Sequence, residues 1–265
     1  MKAWEGTFTM PLKGRSQKPR VEGFTMVIDK GLGLRATKDL LEMAAEWIDD
    51  IKLTFGTSAF YSEEILKRKI DLIRNAGVEV MPGGTFLEVA IWQGVYDGFL
   101  RRAKDLGFTM IEVSDGTIQM DAQTRARAIG KALDAGFRVI SEVGKKDPAE
   151  KVPLAQLHEQ IAADLANGAF KVIVEAREAG KGVGIYDEEG RIKEEEVEAI
   201  VSGVADPNCL LWEAPLKSQQ QQLILRFGPN VNLGNIPPED VLALEALRQG
   251  LRGDTLKQAY WESQR

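Results

Sequence analysis

The chain has 265 residues, 44% of them hydrophobic and 28% charged, with a formal net charge of -6. That composition suits a globular domain with a real core, and the acidic balance argues against a broad nucleic-acid surface. One cysteine, Cys209, and one histidine, His158, exclude an intrachain disulfide, a cysteine-based zinc site and histidine-rich metal chemistry, so acid–base work falls to Asp, Glu, Lys or Tyr.

The start, Met1-Lys2-Ala3-Trp4-Glu5, lacks the apolar core of a signal peptide, and no run approaches the roughly 18 apolar residues of a membrane span. A cytoplasmic protein with no membrane or nucleic-acid partner is therefore expected. Residues 1–22 read as an extended arm or cover. Short apolar, β-branched runs then predict eight strands: Phe24–Asp29, Ile48–Phe55, Val78–Pro82, Met110–Ser114, Arg138–Val143, Lys171–Ala176, Cys209–Ala214 and Asn230–Leu233. Helices are expected between them. Glu63–Asn75 carries Ile65, Leu66, Ile70 and Ile73 at helical spacing, and Gln123–Ala135, Pro153–Leu165, Glu194–Val201 and Glu239–Gln249 follow. Residues 256–265 read as a tail.

Glycine punctuates this alternation. Gly77, Gly107, Gly136, Gly168 and Gly228 each end a helical run just before a strand, at spacings of 30, 29, 32 and 60 residues. A strand, a loop and a crossover helix need roughly 30 residues, so the double gap predicts one more unit inside it. Eight β/α units make either a closed barrel or an open doubly wound sheet. Gly31-Leu32-Gly33-Leu34 lacks the full dinucleotide fingerprint. The reading is a single (β/α)8 TIM barrel over residues 23–255.

In such a barrel the strand exits carry the chemistry, and here every exit is polar. In order they offer Asp29-Lys30, Lys52 with Thr57 and Ser58, Gly83-Gly84-Thr85, Glu112 with Ser114 and Asp115, Glu142 with Lys145 and Lys146, Glu175 with Arg177, Glu213, and Gly234-Asn235. Barrel strands are apolar on both faces, so an internal carboxylate such as Glu112 needs a partner or a metal. Period-two alternation sets Glu112 and Ser114 on one face. Glu112, Glu142 and Glu175, on successive strands, suit a hard cation such as Mg2+. The alternative is that these acids pair with Lys52, Lys145 and Arg177. The loops at 56–58 and 83–85 expose backbone N–H groups suited to phosphate, or else simply cap helices. The charged, Gly-rich run 177–196 is either a lid over the site or a solvated excursion.

Several of these motifs resemble the phosphosulfolactate synthase family. They are Thr25-Met26-Val27-Ile28-Asp29-Lys30-Gly31-Leu32-Gly33, Ile51-Lys52-Leu53-Thr54-Phe55-Gly56-Thr57-Ser58-Ala59, Pro82-Gly83-Gly84-Thr85, Glu112-Val113-Ser114-Asp115-Gly116 and Ser141-Glu142-Val143-Gly144-Lys145-Lys146. The resemblance runs from about residue 15 to about residue 255. Thr54 departs from the small Gly or Ser expected there. The resemblance implies a (β/α)8 barrel that adds sulfite to phosphoenolpyruvate with Mg2+ and yields 2-phospho-3-sulfolactate, a reaction that in archaea opens coenzyme M biosynthesis.

For that chemistry Lys145 is the expected proton donor, beside Lys52 and Glu142 as catalytic groups. Lys30, Lys52 and Arg177 are expected to hold the phosphate, carboxylate and sulfite, with Thr57, Ser58, Gly83, Gly84, Ser114, Gly234 and Asn235 around them. The metal is expected on some of Glu112, Glu142, Glu175 and Asp115, with Glu213 in reserve. The resemblance and the apolar residues Trp4, Phe8 and Met10 point to a homo-oligomer. Two other readings stay open: another barrel lyase or aldolase acting on a phosphorylated acid, and a non-enzymatic stress-related homologue.

Overall fold

The computed structural model describes residues 2–147, 149–150 and 152–264. Eight strands run β1 (Thr25–Asp29), β2 (Asp50–Leu53), β3 (Glu79–Met81), β4 (Met110–Val113), β5 (Arg138–Val143), β6 (Val172–Val174), β7 (Leu210–Glu213) and β8 (Leu233–Ile236). The helices are α1 (Leu34–Ala44), α2 (Glu63–Asn75), α3 (Gly84–Trp92), α4 (Tyr96–Leu106), α5 (Ala122–Asp134), α6 (Leu154–Ala166), α7 (Glu194–Ser202), α8 (Lys217–Phe227), α9 (Val241–Arg248) and α10 (Gly253–Glu262). No helix among the described residues is long and apolar enough to cross a membrane.

All the strand pairings are parallel, and the strand order is β3-β2-β1-β8-β7-β6-β5-β4. The sheet's two ends meet at Thr109. Its N–H donates to the Val80 carbonyl (3.1 Å), and its hydroxyl accepts the Val80 N–H (2.9 Å). The chain is therefore a near-closed (β/α)8 barrel, as the repeated glycines imply.

Two apolar layers fill it. The outer one packs strand residues such as Val27, Ile51, Val80 and Val139 against the helices. The inner one is a plug of Phe24, Met26, Met81, Met110, Ile140, Ile173 and Leu211. Inward residues are two apart along each strand, so the plug dictates that Glu112, Glu142, Glu175 and Glu213 form the next layer up. The opposite end is covered by the N-terminal arm, where Arg15 pairs with Glu245 on α9 (3.1 Å) and Arg20 with Asp49 (3.2 Å).

The last strand differs from the sequence expectation, beginning at Leu233 rather than ending there. Asn232 is spent on side-chain bonds, donating to the carbonyls of Asn208 and Leu210 (2.9 Å each) and accepting from the Phe24 N–H (2.9 Å). Gly234 thus lies inside the strand. A side chain there would strike Leu211 and Met26 of the inner plug. Gly234→Ala is expected to destabilise the fold by about 1–3 kcal/mol through overpacking, measured as a lower urea midpoint with an unchanged slope.

Candidate active site

A cavity of about 410 Å³ opens at the carboxyl ends of the strands. Its floor is polar and buried. Lys52, from β2, reaches across to Glu112 of β4 and Glu213 of β7, 3.2 Å from a carboxylate oxygen of each. Lys146, just past β5, lies 3.1 Å from Glu142 and 3.5 Å from Glu175. Its ammonium also donates to the Thr85 hydroxyl (3.2 Å) at the start of α3. Lys52 is therefore shared by two buried glutamates, and Lys146 by two with a third, Glu88, at 3.9 Å.

Protonation follows from that sharing. Burial alone would lower both lysines, but Glu112 and Glu213 hold Lys52 well above its ordinary value, and Glu142 and Glu175 do the same for Lys146. Burial raises the Glu112 carboxyl to about 7, against the pull of Lys52. Burial would raise Glu142 too, but Lys146 and Lys52 keep it below the usual range. Glu175 is pushed well up, by burial and then by the charge of Glu142.

The wall is a helix terminus. Gly83 has a φ of 84°, in the left-handed region that glycine tolerates. A side chain on Gly84 would collide with Ser114 and Glu112. These two glycines let α3 start against the β4 carboxylate, with its first-turn N–H groups at the cavity. Such N–H groups lack partners inside the helix, and the helix dipole adds to their pull on an anion. Arg177 (φ 60°), Glu178 and Lys181, after β6, form the outer rim, with Thr54 and Phe55 opposite.

Of the residues expected at the site, Lys52, Gly83, Gly84, Glu112, Glu142, Glu175, Arg177 and Asn235, with the reserve Glu213, meet in this cavity. Others do not line it. Lys145 turns its ammonium outward to the carbonyls of Asp115 (2.5 Å) and Ile118 (3.2 Å). Asp115 pairs with Arg125 (3.0 Å), which removes it from the metal candidates. Ser114 donates to Glu88 (2.7 Å), and Thr57 donates to the Thr54 carbonyl (2.9 Å). Ser58 faces an apolar cavity behind α3. Lys30 pairs with Glu178 (2.6 Å) outside the floor, and Gly234 belongs to the barrel interior. Glu88 is absent from the sequence reading, and Lys146, Thr85 and Lys181 figure there only within polar exits or loops, without a substrate or catalytic role of their own. Strand alternation could not have chosen Lys146 over Lys145, because β5 ends at Val143 and the chain turns at Gly144 (φ 110°).

Among the described residues no three carboxylates form an ion cage. However, Glu175 Oε2 and Asn235 Oδ1 are buried without a hydrogen bond. Mg2+ is commonly held by one or two carboxylates with substrate oxygens and water completing the shell, and this donor set fits that mode.

A near-closed parallel barrel with an anion-suited, charge-lined cavity at its strand exits is the architecture of a (β/α)8-barrel enzyme. The profile of the family described as (2R)-phospho-3-sulfolactate synthase (ComA) matches residues 13–254, so the chain belongs to the phosphosulfolactate synthase family. It is 45% identical to the phosphosulfolactate synthase of Methanothermobacter thermautotrophicus over 245 residues, 91% of this chain and 94% of that one. It is 40% identical to that of Bacillus subtilis over 250 residues, 94% and 98% of the two chains. Solved structures share the fold alone. A putative copper homeostasis protein CutC from Streptococcus agalactiae aligns with a TM-score of 0.54 at 15% identity, over 80% of this chain and 98% of its own. An oxaloacetate acetylhydrolase aligns with 0.52 at 15% identity, over 88% and 82%.

The raised Glu112 carboxyl gives a pH signature. Unfolded, the group ionises from about 4.5; folded, it keeps its proton to about 7. The native state binds more protons between those values, so this group's contribution to stability is lost as pH rises through that window. In metal-free buffer, Glu112→Gln should flatten the decline in unfolding free energy between pH 4.5 and 7. An equal slope in both proteins would contradict the assignment.

Proposed function

We propose that this chain adds sulfite to the vinyl carbon of phosphoenolpyruvate, giving 2-phospho-3-sulfolactate in a carbon–sulfur bond-forming lyase reaction run in its synthetic direction. The observation that carries the reading is the Lys146 ammonium, held between Glu142, Glu175 and the N-terminus of α3. It combines an anion cradle with a proton donor in one cavity. Membership of the phosphosulfolactate synthase family supports it.

In the proposed reaction the α3 terminus and Lys146 hold one anionic group of phosphoenolpyruvate. Arg177 and Lys181 at the rim receive sulfite. The sulfite lone pair forms the C–S bond at the CH2 carbon, and the double-bond electrons move toward C2 and the carboxylate. Lys52 faces that developing charge from the floor. The Lys146 ammonium then gives its proton to C2, and solvent restores it. The role expected for Lys145 passes to its neighbour because Lys145 points out of the cavity. A proton on C2 must come from a donor within hydrogen-bond reach.

Glu142 and Glu175, with Asn235, would hold Mg2+. When bound, the ion would neutralise charge on the substrate carboxylate. The excess of carboxylates over ammonium groups on the floor makes such neutralisation useful, since both substrates are anions. The exposed apolar residues Phe60, Val89, Trp92 and Val95 around α3 support a homo-oligomer, together with Trp4, Phe8 and Met10. A light-scattering mass of a single chain would refute that part.

Mixing the protein with Mg2+, phosphoenolpyruvate and sulfite should remove the enol absorbance, and sulfite omission should abolish the change. Lys146→Met should lower kcat by about 10²–10⁴-fold, the usual worth of a general acid. Chelation of divalent ions should slow the reaction and added Mg2+ restore it. No sulfite-dependent loss of enol in the native protein would overturn the proposal.

A further inference from the structure

Lys145 and Lys146 are neighbours that face opposite ways, and the β4–α5 loop lies between them. Its backbone is gripped from two sides. Glu88 on α3 is buried, and its carboxylate accepts the N–H groups of Thr117 and Ile118, each at 2.9 Å, beside the Ser114 hydroxyl at 2.7 Å. From the other side Lys145 donates to the carbonyls of Asp115 and Ile118. A buried carboxylate bound to backbone N–H groups is among the stronger hydrogen-bonded arrangements.

The gripped residue between these contacts is Gly116. Its carbonyl accepts the Lys146 N–H (3.1 Å). A Cβ built on Gly116 would have as its three nearest neighbours Cγ, Cδ and Nζ of Lys146, at 3.2, 3.3 and 3.3 Å. The stem of Lys146 therefore lies directly on the loop backbone. A lysine side chain is flexible along four carbons and samples many rotamers when nothing holds it. A fixed surface beneath it limits where the ammonium can stand.

We propose that Gly116, clamped by Glu88 and Lys145, is a positioning residue that aims the Lys146 ammonium at the reacting carbon. The inference rests on the sulfite-addition reading and on Lys146 as its proton donor. It gives Lys145 a role as a clamp, and it explains why a glycine stands where the loop passes the lysine stem. Lys145 acts through the loop and touches no reacting atom; Glu88 grips the loop and also lies 3.9 Å from the Lys146 ammonium.

Gly116→Ala is the cleanest probe. The backbone at Gly116 lies outside the left-handed region, so alanine adds no dihedral strain, and the nearest atoms it would press are those of Lys146. The variant should fold with a native-like melting temperature. Its kcat should fall by about tenfold or more, the scale expected for a misplaced reacting group, while KM for phosphoenolpyruvate stays within about threefold. The family is named for a (2R) product, and a proton donor shifted off its line should also erode the stereochemical purity of the product. Lys145→Met should act in the same direction, and Lys145→Arg, which keeps the donors, should recover most of the lost rate.

Native kcat and native stereochemical purity in folded Gly116→Ala and Lys145→Met would overturn the clamp. So would a KM that rises in step with the loss of kcat. If the native protein itself shows no sulfite-dependent turnover, the function and the clamp fall together. Turnover by the native protein with unaltered variants removes the clamp alone.

Discussion

Four glutamates face one another in the mouth of this barrel, and two lysines make that tolerable. A carboxylate taken out of water without a partner is costly, and a second beside it adds repulsion. Lys52 bridges strands β2, β4 and β7 across the barrel, while Lys146 joins β5, β6 and α3. Two positive charges still leave the floor acidic. Burial answers part of the remainder by raising the Glu112 carboxyl to about 7 and pushing Glu175 well up. Removing one partner of such a buried pair strands the other charge, at a typical cost of about 3–5 kcal/mol. The same groups that organise the site therefore also hold the barrel mouth together.

That arrangement constrains what the cavity can accept. Its floor repels anions wherever a glutamate is ionised, so an anionic ligand is favoured only where positive charge collects. Those places are the start of α3, the Lys146 ammonium and the rim formed by Arg177 and Lys181. A divalent ion on Glu142 and Glu175 would extend the same logic, turning surplus carboxylate charge into a binding feature. The proposed chemistry needs this division. Sulfite and phosphoenolpyruvate repel each other in water, and a site that joins them must hold two anions side by side.

Much of the fold was legible in the sequence, because glycine-ended helices recur with the spacing of a β/α unit and strand alternation separates the faces. The boundaries of β5 and α2 follow directly from that pattern. The start of β8 does not, because Asn232 looks like strand and is spent on side-chain bonds, while Gly234 looks like a loop and is barrel interior. At the site, Glu112, Glu142, Glu175 and Lys52 were recognisable as charges inside apolar strands. The choice between Lys145 and Lys146 was obscured by the turn at Gly144 (φ 110°). Glu88 was hidden because it lies on a helix rather than at a strand exit, and its partners are backbone N–H groups that no motif announces. Thr57 and Ser58 look like a phosphate loop, yet their 3-10 turn leads away from the cavity.

The most direct test of this account is a crystal structure of the native protein with phosphoenolpyruvate and Mg2+ in the absence of sulfite. The account predicts an anionic group of the ligand on the N–H groups that open α3, within hydrogen-bond reach of Lys146, and the vinyl carbon facing Arg177 and Lys181. Phosphoenolpyruvate bound outside this cavity, or bound there with Lys146 turned away from it, would contradict it.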